Sequence, residues 1–312
     1  MVTRDPLPPA VGAALDDILR ETLGSGTRPA AIHVLKRAPD YWVVRATPGG
    51  GEPELVVKLA GPGATLAATF ERTAAVHRRV AAATGVPLPL VLAADSSGRR
   101  RPWRYLVRTY VPGEEWAAVR LRLTAVERAG ALAQIGRAVA ALHTLAFPAF
   151  GELTGNGAVT PAGPWPAALA ARAGRSIADP DRAAFFLDVL NARAADFAGV
   201  TDPCLCHEDL HQHNLIFAPA GDGVRLVAVL DFEKAWAGHA EVDLARLELW
   251  RGMTGPGFRP AYRAIRTIAP DYPARRPVYQ LLWCLEYGAD TSRHQADTRR
   301  VCRALGVPSP LG

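Results

Sequence analysis

The periodicity of apolar positions changes near the middle of this 312-residue chain. Residues 11–23 repeat at helical spacing and predict a short amphipathic helix. Three strand-like runs follow at 32–36, 41–46 and 55–59, separated by Ala38-Pro39-Asp40 and Pro48-Gly49-Gly50-Gly51, which are turn formers. Residues 65–83 have helical composition. Residues 91–94 and 105–110 predict two further strands across the polar, turn-forming stretch 95–101. Three strands, a helix and two strands make a small sheet with one helix in its sequence middle. Val111-Pro112-Gly113 ends the last strand, because Pro and Gly interrupt it, and marks a boundary.

The second half reads as mostly helical. Val126, Leu132, Ile135, Val139 and Leu142 recur at helical spacing within 124–145, and Thr124 with Glu127 predicts a capping box. Residues 146–166, rich in Gly, Pro and Thr, predict a loop, and 168–175 and 181–197 predict helices. Two short apolar runs, 214–217 and 226–230, flank Gly221-Asp222-Gly223 and predict a hairpin. Helices resume at Glu241. The expected class is α+β in two lobes: residues 1–111 as a small antiparallel sheet lobe, and 112–312 as a helical lobe carrying the hairpin.

Composition narrows the picture in three ways. Only Lys36, Lys58 and Lys234 are lysines against a strongly Arg-biased background, so a Lys inside an apolar strand carries more information than usual. The net charge of +6 resides in the C-terminal segment from Arg251, where ten Arg face four acids. Such a segment fits nucleic-acid or anionic-ligand binding; without an aromatic-interleaved basic run it reads as an Arg-rich helical surface. The four cysteines form no C-x-x-C pair, and the alternation of Cys204-Leu205-Cys206 expects one of the two in the core. No run reaches the roughly 18 apolar residues of a membrane span, and the N-terminus has no apolar leader, so a cytoplasmic location with neither membrane nor nucleic-acid partner is expected.

The chemistry concentrates in one stretch. Phosphoryl transfer needs a carboxylate to take the hydroxyl proton, oxygen ligands for Mg²⁺ and a cation on the nucleotide phosphates. His207-x-Asp209-x-x-x-x-Asn214, followed by Val229-Leu230-Asp231-Phe232-Glu233, offers these groups. The step from Asp209 to Asn214 lets one loop present both side chains, and the hairpin returns Asp231 beside Asn214. Asn occurs only at 156, 191 and 214, so chance coincidence is a poor account of the pattern.

Cys206 to Ile216, reading C-H-E-D-L-H-Q-H-N-L-I, resembles the H-G-D-L-H-x-x-N catalytic loop of the aminoglycoside phosphotransferase / choline kinase superfamily. Leu230-Asp231-Phe232-Glu233 is similar to that family's metal motif, and Asp243-Leu244-Ala245 to the D-L-A that opens the next helix. Gly85-Val86-Pro87-Leu88-Pro89 and residues 105–113 resemble its strand entry and hinge, and the likeness spans roughly residues 30–290. The resemblance implies a protein-kinase-like bilobal fold binding ATP or GTP with Mg²⁺. It implies Asp209 as catalytic base, Asn214 and Asp231 as metal ligands, and Lys58 on the nucleotide phosphates. Glu71, Tyr110 and Val111 are the further nucleotide-site residues it implies, and Asp243 is an anchor of the loop.

Departures from the family pattern are equally specific. Thr73 stands where the helix glutamate partner of Lys58 is expected, and Glu71 lies about 200° away round the helix. Glu208 replaces the usual Gly before the base, no G-x-G-x-x-G lies between the first two strands, and Gly238-His239-Ala240 replaces G-D-P. Acceptor contacts are expected from Glu208, Glu248, Glu286 and Asp290, with Trp250, Trp283 and Tyr287 as flat walls. A basic C-terminal segment argues against a highly cationic aminoglycoside. The expected activity is phosphorylation of a small-molecule hydroxyl, first that of an antibiotic or other natural product in a resistance role. The alternatives are a metabolic kinase in the manner of choline, homoserine or methylthioribose kinases, and a nucleotide-binding pseudokinase.

Overall fold

The computed structural model describes residues 7–24, 29–49, 52–221, 223–287 and 291–310. Its first lobe comprises α1 (Pro9–Leu23), β1 (Pro29–Ala38), β2 (Tyr41–Pro48), β3 (Leu55–Ala60), α2 (Phe70–Ala83), β4 (Val91–Asp95) and β5 (Arg104–Thr109). The strands form one antiparallel sheet in the order β1-β2-β3-β5-β4. Along β2 buried and half-buried residues alternate, whereas all six residues of β3 are buried. Helices on both faces account for this: α1 packs Leu15, Ile18 and Leu19 onto Trp42, Val44, Val57 and Val107, and Phe70 and Ala74 of α2 meet Ala60 and Leu106 on the other face. The α2 helix starts at Phe70 rather than 65 because Thr69, in extended conformation, accepts the Arg72 N–H and caps it.

Gly113 carries the chain into the second lobe. Its φ of 151° and the Phe217 carbonyl, 2.6 Å from where a Cβ would lie, leave room only for glycine. There follow β6 (Glu114–Glu115), α3 (Trp116–Val119), α4 (Ala125–His143), β7 (Gly151–Leu153), β8 (Val159–Pro161), α5 (Trp165–Ser176), α6 (Pro180–Ala192) and β9 (Cys204–Cys206). The lobe continues with β10 (Leu215–Ala220), β11 (Gly223–Val229), β12 (Trp236–Gly238), α7 (Glu241–Leu249), α8 (Phe258–Arg263), α9 (Tyr272–Glu286) and α10 (Ser292–Leu305). Two small sheets, β11-β10-β6 and β8-β7-β12-β9, brace the loop that precedes β10. Thr124 and Glu127 form the capping box of α4. Cys204 and Cys206 are both buried, contrary to the expectation of one, because β9 ends its sheet beside β12 and its free edge is covered by Leu145 and Ala146.

The large core of this lobe, built around Trp116, Trp165, Trp236 and Phe186, also takes in Val76 and Val80 of α2. Arg72 of α2 donates to the Ala235 carbonyl at 2.7 Å, and His77 packs edge-on against Phe232 at 5.1 Å. Helix α2 therefore belongs to the sheet lobe by chain order and to the helical lobe by much of its packing. Several Arg of the basic C-terminal segment are tied into carboxylates, Arg275 to Glu241 and Asp271, Arg266 to Asp202, and Arg259 and Arg276 to Glu248.

Candidate functional site

The β10–β11 hairpin sets the acidic groups side by side. Leu215 pairs with Val229 at its open end, and the Leu230 N–H donates to the Asn214 carbonyl at 2.8 Å. Asn214 and Asp231 consequently leave the two strands as neighbours. Asn214 Nδ2 donates to the Asp209 carbonyl at 2.8 Å, which leaves Asn214 Oδ1 without a hydrogen-bond partner among the described residues.

Loop 207–214 is fixed from behind. Asp243, in the first turn of α7, accepts the N–H groups of His207 and Glu208, each at 2.7 Å, and meets His143 Nε2 at 3.1 Å. His207 Nε2–H donates to the Leu230 carbonyl at 2.9 Å while Nδ1 accepts from the Asp209 N–H at 3.2 Å, an arrangement that assigns the neutral tautomer. Burial lowers the His207 pKa and agrees with that assignment. His143, Cys206 and Asp243 form a buried trio, but its polar atoms are engaged: the Cys206 thiol points to the His239 carbonyl at 3.2 Å. Asp209 Oδ1 accepts from Arg246 Nη2 at 3.1 Å.

Glu208 adopts φ +60°. That left-handed geometry is natural for glycine and costs another residue about 1 kcal/mol, which explains why Gly is the residue expected at this position. Its carboxylate is buried and lies 3.0 Å from Arg172 Nη2; burial pushes its pKa up to about 7, with Arg172 opposing.

Lys58 reaches this cluster from β3. Its Nζ donates to Asp231 Oδ1 at 2.6 Å and Glu233 Oε1 at 2.5 Å. Burial opposes its charge, yet the two carboxylates win and raise its pKa, so it stays protonated. Burial would likewise raise Asp231, but Lys58 holds that carboxyl at about 2. Glu71 is not the partner of Lys58: its Oε1 accepts the Ser96 N–H at 2.7 Å, closing the turn after β4. Thr73 occupies the inward face of α2 and is buried. Glu233, two residues past Asp231, takes that place from the other lobe.

At the hinge the Tyr110 N–H is taken by the Glu54 carbonyl at 2.7 Å, and its ring lies under the Arg45 guanidinium at 3.9 Å. The Val111 N–H has no partner among the described residues. Arg108 on β5 pairs in register with Val56, on the same sheet face as Lys58, and its charge acts on Asp231 and Glu233.

A cavity of 470 Å³ opens beside Arg246, lined by Trp283, Glu286 and Tyr287 of the expected acceptor residues. Glu208 lies under it through Arg172. Glu248 does not line it; Arg259 and Arg276 hold that carboxylate near the α8–α9 junction. Trp250 stands behind Trp283, with ring centroids 5.3 Å apart. Asp290 lies outside the described residues. Sequence reasoning missed Glu233, Arg246, Arg172 and Arg108. A signal existed for Glu233 alone, an acid two positions from a metal-type Asp.

A family model described as "Phosphotransferase enzyme family" matches residues 37–278. A search of curated proteins found no match. Among solved structures, a thermostable mutant of aminoglycoside phosphotransferase APH(4)-Ia, in complex with ADP and hygromycin B, is similar over 96% of this chain and 99% of its own at TM-score 0.66 and 16% identity. Aminoglycoside-3'-phosphotransferase of type VIII is similar over 87% and 99% of the two chains, at TM-score 0.56 and 20% identity. A microcompartment-associated aminopropanol kinase is similar over 94% and 95%, at TM-score 0.58 and 14% identity. At these identities the likeness is one of fold.

Proposed function

This chain belongs to the phosphotransferase enzyme family, and we propose that it moves the γ-phosphoryl group of ATP, or GTP, onto a hydroxyl of a small molecule in the cytoplasm. The observation that carries the reading is the meeting of Lys58, Asp209, Asn214 and Asp231 from three segments, β3, loop 207–214 and the turn after β11. In the reaction the acceptor oxygen forms a bond to Pγ, the bond from Pγ to the bridging oxygen of the diphosphate breaks, and the hydroxyl proton passes to Asp209. Arg246 orients the Asp209 carboxylate.

The free Oδ1 of Asn214 and the carboxylate of Asp231 are hard oxygen donors on adjacent strand ends, which suits Mg²⁺. Bound there, the metal would neutralise charge on the phosphates. Lys58 supplies a permanent positive charge toward the same phosphates, since its protonated form is favoured. The unpaired Val111 N–H is the hinge group we assign to the nucleotide base, with Tyr110 holding the hinge backbone.

For the acceptor we favour the hydroxyl of an antibiotic or other natural product, a role in line with the fold shared with hygromycin B and aminoglycoside enzymes. A metabolic hydroxyl acceptor is the second reading, favoured by the likeness to an aminopropanol kinase. Incubating the protein with γ-labelled ATP, Mg²⁺ and panels of antibiotics and metabolites tests both; labelling of a common metabolite alone removes the resistance role. Asp209→Ala should lower transfer by about 10³-fold and leave nucleotide affinity intact. Undiminished turnover in that variant would refute the base assignment.

A further inference from the structure

The 470 Å³ cavity next to Asp209 is lined by five cations, Arg72, Arg172, Arg175, Lys234 and Arg246, and by two carboxylates, Glu152 and Glu286. Both carboxylates are already shared. Glu152 lies 3.2 Å from Arg72, 2.7 Å from Arg172 and 2.8 Å from Arg175. Glu286 binds Lys234 at 2.5 Å and faces Arg246 at 3.9 Å. Below them, Glu208 is matched to Arg172. An ammonium group entering the cavity therefore meets an excess of positive charge, and finds no carboxylate that is not already holding a guanidinium or an ammonium. A negatively charged group meets the opposite situation. Arg72, Arg172 and Arg246 are largely buried, but the side chains of Arg175 and Lys234 are 49% and 33% exposed at the rim, with donor capacity left over.

The wall is equally specific. Trp283 and Tyr287 stack at 5.3 Å with planes 11° apart, and both line the cavity. Arg246 spans the distance between this space and the reaction centre, since it lines the cavity and bonds Asp209.

We propose that the acceptor carries an oxyanion group, a carboxylate in the first instance, which binds Arg175 and Lys234 while a planar apolar part lies on Trp283 and Tyr287 and directs the hydroxyl to Asp209. The assignment rests on the phosphotransferase reading and narrows it, because polycationic aminoglycosides are excluded by charge. The surplus of cations, rather than any single residue, makes the discrimination.

The test is calorimetric titration of the full chain, held in Mg-ADP, with four aryl alcohols differing in one group: 4-(hydroxymethyl)benzoate, the corresponding sulfonate, the carboxamide and the benzylamine. The two anions should bind about tenfold more tightly than the carboxamide, the combined worth of two partly exposed ion pairs, and the amine should not saturate. Arg175→Gln and Lys234→Gln should each lower that preference about threefold, and together remove most of it, without changing ADP affinity; both side chains are rim-exposed, so the variants should fold. Tighter binding of the amine, equal binding of all four, saturation by none, or phosphorylation of hygromycin B in preference to the anions overturns the assignment. A chain that selects the anions but binds neither Mg-ADP nor Mg-ATP would instead lose the phosphotransferase reading and keep the charge assignment.

Discussion

Replacing Glu233 by Gln tests where the positive charge at the proposed nucleotide site is anchored. Lys58 is buried, and its ammonium holds two carboxylates, Asp231 at 2.6 Å and Glu233 at 2.5 Å. If Asp231 turns to a metal on nucleotide binding, Glu233 becomes the remaining charged partner. A charge-assisted hydrogen bond of this kind contributes about 1.5–3 kcal/mol, equivalent to roughly 10–100-fold in affinity for Mg-ADP. Glu233→Gln keeps the shape and removes the charge, so its Mg-ADP Kd should rise within that range. Burial and the Asp231 charge raise the Glu233 pKa, so the same loss should be approached in the wild type under mild acid, as Glu233 takes a proton. Glu71→Gln is the matched control. Its carboxylate accepts one backbone N–H from Ser96, which an amide oxygen can also do, and the Kd should change less than about threefold. Calorimetric titration of both variants decides the matter. Equal weakening in both, or weakening by Glu71→Gln alone, would show that α2 supplies the anchor and that the reasoning is wrong.

Helix α4 provides a paired stability prediction. Gly136→Ala would put a Cβ 2.4 Å from the Phe258 carbonyl of α8 and should destabilise by about 2 kcal/mol, whereas Gly130→Ala meets nothing within 4 Å and should stabilise by up to about 1 kcal/mol; denaturant midpoints measure both, and equal signs would contradict the close helix contact. Thr124→Ala removes the capping box and should cost about 1 kcal/mol by the same measurement, with no loss of nucleotide affinity. His77 is buried with its pKa lowered from 6.5 to about 4, by desolvation first. As pH falls from 6.5 toward 4 the unfolded chain takes up a proton that the folded chain refuses, so stability present above pH 6.5 declines by up to about 3 kcal/mol. Urea midpoints at pH 7 and pH 4.5 should converge in His77→Gln relative to wild type; an unchanged pH dependence would place the acid sensitivity elsewhere.

The sheet lobe was legible because strands of five or more residues carry a period, and because Pro and Gly punctuate them in sequence. The Thr124 capping box and the Asn214–Asp231 hairpin were legible for a related reason, since both are local patterns. Strands β6, β7, β8 and β12 have two or three residues each and exist through their partners, so no periodicity could announce them. The Lys58–Glu233 contact joins residues 175 apart in sequence. No local rule reaches that far, and the one helix acid near the expected position points at Ser96 instead. The cation surplus of the cavity was not visible in the basic C-terminal segment, because all five of its cations precede Arg251. Its decisive members, Arg172, Arg175 and Lys234, lie outside that segment and meet Arg246 through the packing of α5 and α7 around the Asp231 turn.

The double membership of α2 sets how the two lobes are joined. Val76 and Val80 sit in the core of the helical lobe, Arg72 is tied to Ala235, and His77 rests on Phe232. A helix so fastened shares the helical lobe's core, and the acid beside Lys58, Glu233, comes from that same lobe. The same helix is also held to the sheet, through Phe70 and Ala74 on Ala60 and Leu106 and through Glu71 on the Ser96 N–H, so it couples the two cores. The pairing of Lys58 with Asp231 and Glu233 crosses between the lobes without any acid from the helix that bridges them.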